Sequence, residues 1–466
     1  MQFLHCPKSL WLARHKPEMI PQAAPDLGQE LRRDQGYVVE AAIETWLAEV
    51  SGDATLDKQV VFELPSGAFA RTDVLRRQTD GSVDLIEIKS SHSPSTSHLF
   101  DLAFQANLAQ ALGHQISGLF VAHINGDHTI NNGTAPFILN DQTEAVRDLM
   151  PDVGRQIPLA LEFLDQSQID ESSCTCVTLT RGNHCDSFAY LNPSVPKHSI
   201  YTLPGIKAGK IAQYREDGIV DLADVPLDGL SARQAKVVWS AQNQRPFIDR
   251  EIIQSFVDAL EFPLAFYDYE ATQSPLPDLP DVNAGMQIPF QFSLHVLQAN
   301  GRLDHHEYLA QAWQSPGPLI DALRSALPAT GSVVSWNKGY ENGRNRAMGG
   351  LYPQHADFLQ DVTDRTVDLQ DIFKLGYVDV AFDGRTSIKN VLPVMVPDLT
   401  YEGMPVANGT AAMAAFARMI TLPQGAERDQ LRADMLAYCG LDSFAMVRIY
   451  ERVLEVLSES AGHQPS

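Results

Sequence analysis

Three acidic motifs, far apart in the chain, carry the chemistry this sequence offers most plainly. In FYDYEA, Asp268 and Glu270 stand at i and i+2 of an apolar run, so a strand would aim both carboxylates to one side. Two close carboxylates among Phe266, Tyr267 and Tyr269 repel unless a cation lies between them. VVSWNKGYENGRN runs a buried strand into Asn337, with Glu341 four residues on. AYCGLD sets Tyr438 and Asp442 at i and i+4, stacked on one helix face. Carboxylates from a strand, a helix start and a distant helix can share two Mg²⁺ or Mn²⁺ ions about 3.5–4 Å apart, an arrangement suited to in-line displacement at phosphorus. Tyr438 would then orient the attacking water. Cys439, inside the last motif, reads as a small core residue.

A second set lies in the first half. Asp73 sits in ARTDVL, and fourteen residues later IEIKS holds Glu87 and Lys89. On a strand Glu87 and Lys89 share a face, and Asp73 on an antiparallel neighbour can join them. The carboxylates suit Mg²⁺, a hard cation, and the lysine can stabilise developing negative charge. An ordinary surface Glu–Lys pair is the alternative. The apolar neighbours Leu85, Ile86 and Ile88 favour the edge of a buried cleft. Of five cysteines, Cys174, Cys176 and Cys185 crowd together and Cys6 stands alone. An odd count in a large chain points to metal rather than to a disulfide framework.

These residues need elements to hold them. A helix is expected over 28–50, with Leu31, Val38, Ala42 and Trp46 on its apolar face. Strands are expected at 59–64, 69–76, 83–91 and 118–124, with a helix over 98–112 between the last two. Residues 191–254 are Pro- and Gly-punctuated and read as a connector, or alternatively as a helix-hairpin-helix that grips a nucleic-acid backbone. From 255 a new α/β module begins with strands and ends in a long helix over 428–457. The fold class is α/β, with domains at 1–190 and 255–460.

CPKSLWL, RTDVL, IEIKSS and DLAFQANLAQALG together resemble the RecB-type branch of the PD-(D/E)XK nucleases, a restriction-endonuclease-like fold. The resemblance implies that Asp73 and Glu87 are metal ligands, that Lys89 is catalytic and that Gln105 meets substrate. The histidine often found four residues after a helix glycine is Glu40 here, a further candidate ligand, and the tyrosine usual after Gln105 is Ala109. The resemblance extends to members whose cysteines, one before the core and three after, hold a [4Fe–4S] cluster. Cys6, Cys174, Cys176 and Cys185 match that layout. The spacing departs from C-x2-C, and Zn²⁺ is the rival, with His184 as a possible substitute ligand. Such a cross-link over so long a loop is worth ~3–5 kcal/mol.

The order D-x-E, N-x3-acid, Y-x3-D resembles the DnaQ-like exonucleases of the RNase H-like fold, in their tyrosine-bearing subclass. The resemblance implies that Asp268, Glu270, Glu341 and Asp442 bind metal, that Tyr438 positions water and that Asn337 lies against substrate. Glu341 stands where most members have aspartate. VDLQDIF (367–373) and SIKNVLPVM (387–395) fit the middle of that family's fold.

The implied activity is a metal-dependent nuclease: a 3′–5′ exonuclease behind a RecB-type module, acting on DNA in repair, recombination or defence. The alternatives are an RNA exonuclease and a scaffold that binds nucleic-acid ends through an inactive front module. A net charge of −23 argues against phosphate binding over the whole surface and leaves room for a local basic cleft. No apolar run approaches the ~20 residues of a membrane helix, and no signal peptide is evident, so a cytoplasmic, membrane-free protein is expected.

Overall fold

The structure, a computed structural model, describes residues 1–21 and 27–459. It is mixed α/β and divides into two compact units, each with its own mixed sheet. Among the described residues no helix is long and apolar enough to cross a membrane.

The first unit comprises Met1–Val177, Gly182–Pro193 and Gln273–Met286. After α1 (Pro7–His15) and α2 (Leu27–Val50), β1 (Thr55–Glu63), β2 (Phe69–Arg77) and β3 (Val83–Lys89) form an antiparallel meander. Helix α3 (Thr96–Ala111) then crosses over to β4 (Ile116–Ile124), parallel to β3, and β5 (Phe137–Asp141) closes the far edge. Alternation along the strands sorts their side chains onto two faces. Val74, Ile86 and Ile88 pack with Val39, Ile43 and Leu47 of α2. Leu75, Leu85 and Leu119 pack with Leu102, Ala103 and Ala106 of α3 and with Val146 and Met150 of α4 (Thr143–Leu164). The inward stripe of α2 is therefore Val39-Ile43-Leu47, one residue on from the expected face. Ala42 and Trp46 flank it, and Val38 is exposed. Both registers repeat every four residues, and the core takes the aliphatic Val39, Ile43 and Leu47 while Trp46 packs at its edge.

The second unit comprises Thr178–Arg181, Ser194–Thr272 and Gln287–Ser466. The segment expected as a connector thus belongs, from Ser194 on, to this unit. Its α5 (Ala208–Glu216) and α6 (Ala232–Asn243) bury Ile211, Tyr214, Val237 and Val238. The expected second helix of the hairpin is a 3-10 turn, Leu222–Asp224, in which the Asp221 side chain accepts from the Ala223 N–H. Pro226, two residues past the turn, cannot supply the N–H that a continuing helix needs.

The sheet of this unit runs β10-β9-β6-β7-β8, from β6 (Leu264–Thr272), β7 (Ile288–Leu297), β8 (Leu303–Leu309), β9 (Val333–Ser335) and β10 (Thr366–Asp368). β6, β7 and β8 are antiparallel, whereas β9 lies parallel to β6 and β10. On one face Ala265, Tyr267 and Leu294 meet α7 (Gly317–Ala326), α8 (Lys338–Leu351) and α9 (Ala356–Arg365). On the other, Leu264 and Phe266 meet α10 (Ile388–Met395) and the long α12 (Ala426–Ser458), while Phe290 and Leu309 meet α11 (Gly409–Thr421).

Candidate active site

Asp268 and Glu270 share the β6 face that carries Leu264 and Phe266, and so look toward α10 and α12. The register with β7 shifts just past Glu270, a bulge of the kind that re-aims side chains beside sites. Helix α12 is buried along much of its length and brings in Tyr438 and Asp442 one turn apart. Ligand oxygens of Asp268, Glu270 and Asp442 lie within 4.8 Å of one another. They floor a cavity of about 410 Å³ that Asn337, Glu341 and Tyr438 also line, walled by Trp336, Tyr340, Ile388 and Met413.

Glu341 lies in the first turn of α8, just past Asn337 at φ 68°. Asparagine tolerates that left-handed conformation, and it turns the chain sharply from β9 into the helix. Glu341 is buried, and its Oε2 has no hydrogen-bond partner among the described residues. It stands outside the close trio, yet near enough for its charge to act on both Asp268 and Glu270.

Burial first, then the charges of Asp442, Glu270 and Glu341, pushes Asp268 well above the usual carboxylate range. Burial and Asp442 do the same to Glu270, with the Lys389 ammonium opposing. Burial raises Glu341 to about 8. Asp442 is raised by burial, although the Tyr401 and Tyr438 hydroxyls both donate to it. Buried acids that repel one another and leave an oxygen unpartnered fit a divalent cation by charge and by donor type.

Three neighbours of this site were not singled out from the sequence. Lys389 on α10 donates to the Ala407 carbonyl at 2.7 Å, stands 3.4 Å from the Tyr438 hydroxyl and lies over the Tyr401 and Tyr438 rings. Tyr401 holds Asp442. Asp368 accepts the Asn337 N–H at 2.9 Å and so fixes the turn that presents Glu341. Lys389 and Asp368 lie inside segments already set apart, SIKNVLPVM and VDLQDIF, whereas Tyr401 lies in neither. Cys439 is fully buried, with its sulfur 3.9 Å from an Asp268 carboxylate oxygen.

The first unit gathers its expected residues differently. Glu87 is buried on β3, and both its oxygens are taken. Lys89 Nζ reaches Oε1 at 2.6 Å, and Gln105 Nε2, from α3, donates to Oε2 at 2.6 Å. Asp73 accepts the Ile88 N–H at 2.8 Å and is pushed up to about 6 by burial and by the Glu87 charge. Lys58 pairs with Val74 and Val60 with Thr72, so Gln59 stands opposite Asp73, at φ 53°. Its amide donates to Glu40 at 2.6 Å, and Glu40 lies near enough to raise Asp73 further. Among the described residues Asp73, Glu87 and Glu40 do not bring three ligand atoms within 4.8 Å of one another. His123, the β4 partner of Lys89 and not singled out from the sequence, is buried, and its Nε2 has no hydrogen-bond partner among the described residues. Ala109 is fully buried in the core beneath α3.

The sulfurs of Cys6, Cys174, Cys176 and Cys185 all lie within 4.8 Å of one another, buried, in a group able to hold a metal. His184 is outside it and stacks its ring on Phe188.

Residues 265–387, from β6 through Asp268, Glu270 and Glu341 to Ser387, match the model of a domain of unknown function, DUF2779. No curated protein and no solved structure matches the chain.

Proposed function

We propose that the second unit is a DnaQ-like 3′–5′ exonuclease of RNase H-like fold, acting on DNA, and that the first is a RecB-type nuclease module of PD-(D/E)XK type. The observation that carries this reading is the meeting of Asp268, Glu270 and Asp442 within 4.8 Å on the floor of a cavity that also holds Glu341 and Tyr438. The β10-β9-β6-β7-β8 order, antiparallel through β8 and parallel beyond β6, supports the fold assignment.

Asp268, Glu270 and Asp442 would hold Mg²⁺ or Mn²⁺, with Glu341 facing a second position. When bound, the ions supply charge neutralisation at the phosphoryl group and lower the pKa of water. The chain supplies the rest. Tyr401 and Tyr438 steer Asp442 by two hydroxyl donors. Lys389 keeps an ammonium beside the Tyr438 hydroxyl, where a leaving or attacking oxygen gains from positive charge. Trp336 and Tyr340 offer ring faces on which the terminal base of an unpaired strand can stack, which is tolerant of sequence.

The test is Mg²⁺- and Mn²⁺-dependent degradation of end-labelled single-stranded DNA and RNA side by side, with Asp268→Ala as control. Metal-dependent shortening of DNA from its 3′ end, lost in the variant, is expected. Degradation that is equal with and without metal, or undiminished in the variant, overturns the reading. RNA degraded in place of DNA changes the polymer and keeps the chemistry.

A further inference from the structure

A second cavity of the second unit, about 560 Å³ in volume, lies among residues outside all three acidic motifs. The segment expected as a connector and a turn at 379–381 build it. Backbone bonds tie these parts together. The Leu222 N–H donates to the His198 carbonyl at 3.0 Å, and Ser199 bridges to Asp221, so Lys197 and His198 are held beside Asp221. Past α6, Gln244 turns the chain at φ 50°, and the Arg245 N–H returns to the Ser240 carbonyl at 3.3 Å. The Ser240 hydroxyl accepts the Val380 N–H at 3.0 Å and anchors the second turn to the helix.

The polar groups of this cavity are unequally engaged. Asp221 Oδ1 accepts the Ala223 N–H at 2.8 Å, and Asp379 Oδ1 the Ala381 N–H at 2.9 Å, so each carboxylate already serves a turn. Lys197 and Arg245, in contrast, form no ion pair among the described residues. His198 Nδ1 is buried and has no hydrogen-bond partner among them. The Arg245 guanidinium lies over the Trp239 ring, 5.1 Å from its centroid. Stacking occupies a face of the guanidinium and leaves its N–H edges for an anion. A guanidinium fork and an ammonium without acceptors match the oxygens of a phosphate. Inorganic phosphate would fill little of the space, which falls within the roughly 300–1,000 Å³ of sites for small organic ligands. Pro196, Pro246 and Val380 add apolar wall, and the second carboxylate oxygens of Asp221 and Asp379 remain for hydroxyl or amino donors. Phosphate, apolar ring and donors occur together in a nucleotide.

We propose that this cavity binds a nucleotide, with Lys197 and Arg245 on its phosphate and Asp221 and Asp379 on donors of its sugar or base. The same chemistry is offered by a free nucleoside monophosphate and by one unit of a strand. The cavity shares no residue with the acid cluster, so the inference goes beyond the cleavage reading and stands or falls apart from it.

The test is equilibrium dialysis of the full chain in excess chelator, so that no strand is cut. The probes are labelled deoxyadenosine monophosphate and, separately, a short labelled oligothymidylate. Saturable binding of at least one of them, at one site per chain, is expected. Lys197→Ala and Arg245→Ala, both at exposed positions, should each weaken it ~10-fold or more, while Asp268→Asn should leave it unchanged. Where the monophosphate binds, deoxyadenosine, which lacks the phosphate, should compete at least ~10-fold less well. Binding of the monophosphate assigns the cavity to free nucleotides, and binding of the oligothymidylate alone assigns it to a strand. The inference is overturned if neither probe binds saturably, or if binding is indifferent to both basic variants. Loss of binding in Asp268→Asn overturns it too, as does deoxyadenosine competing as well as the monophosphate.

Discussion

The two carboxylate sites of this protein hold similar residues and balance their charge in opposite ways. In the first unit Glu87 is satisfied from within: an ammonium and an amide take its two oxygens, and Asp73 has a backbone N–H. In the second, Asp268, Glu270 and Asp442 crowd together, Glu341 keeps a buried oxygen without a partner among the described residues, and Lys389 is a nearby cation acting on Glu270 and Asp442. Burying like charges without compensation is costly, so the second site has a strong need for an ion that the first has largely met with its own side chains. Carboxylates found together matter less than whether the chain has already neutralised them.

The largest effect that follows is a contrast between two conservative variants. Asp268→Asn keeps the volume but removes one ligand charge where nothing replaces it. Metal-dependent degradation of end-labelled DNA should fall about 1,000-fold, since metal stabilisation of the transition state is worth several kcal/mol. Glu87→Gln, assayed on the same substrate, should cost total activity less than about threefold, because the second site continues to work. Comparable losses in the two variants would break the contrast and give both sites equal standing.

The motifs of the second site could be read because their spacing is local: D-x-E on a strand and Y-x3-D on a helix each place two side chains by backbone period alone. The strand and helix that carry Glu87 and Gln105 were legible for the same reason. What escaped depends on long-range packing. Tyr401 donates to a residue 41 positions away, and Asp368 serves Asn337 from 31 positions away, through a neighbouring parallel strand. His123 becomes part of its site only because β4 pairs with β3 in a register that sets it beside Lys89. The shifted face of α2 has another cause: two apolar stripes of equal period compete, and only the shape of the core chooses between them. The cysteines show the intermediate case. The crowding of Cys174, Cys176 and Cys185 was visible in the sequence, whereas the approach of Cys6 to them depends on the folded chain.

A smaller effect sharpens the contrast within the second site. Tyr401→Phe removes one of the two hydroxyl donors to Asp442 and leaves Tyr438 in place. A hydrogen bond to a charged group is worth about 1.5–3 kcal/mol, and with one donor retained the rate at saturating Mg²⁺ should drop roughly tenfold. The concentration of Mg²⁺ needed for half-maximal rate should rise as well, since Asp442 is then less firmly aimed. A rate unchanged at every Mg²⁺ concentration would show that Tyr438 alone fixes Asp442.

The smallest effect is a pH dependence of stability that assigns itself to one site. A carboxyl raised in the folded state binds more protons there than in the unfolded chain, so stability declines as pH climbs from the ordinary carboxylate range to the raised value. For Asp73, at about 6, the decline passes its midpoint near pH 6 and is largely over about one unit higher. For Glu341, at about 8, and for Asp268 and Glu270, pushed well above their usual range, it continues beyond. In a chelator the protein should therefore melt a few degrees lower at pH 8 than at pH 6, at roughly 2–4 °C per kcal/mol. Most of that falling slope belongs to the second site, with a small share from Asp73, while His295, held down to about 4 by burial, works against it. Millimolar Mg²⁺ should restore the loss at pH 8 and do little at pH 6, because a cation replaces the protons the acids have given up. Asp268→Asn, with one buried charge fewer, should flatten most of the slope between pH 6 and 8, whereas Asp73→Asn should change it only slightly. A slope that survives Asp268→Asn and vanishes with Asp73→Asn would reverse the assignment, placing the uncompensated charge in the first unit.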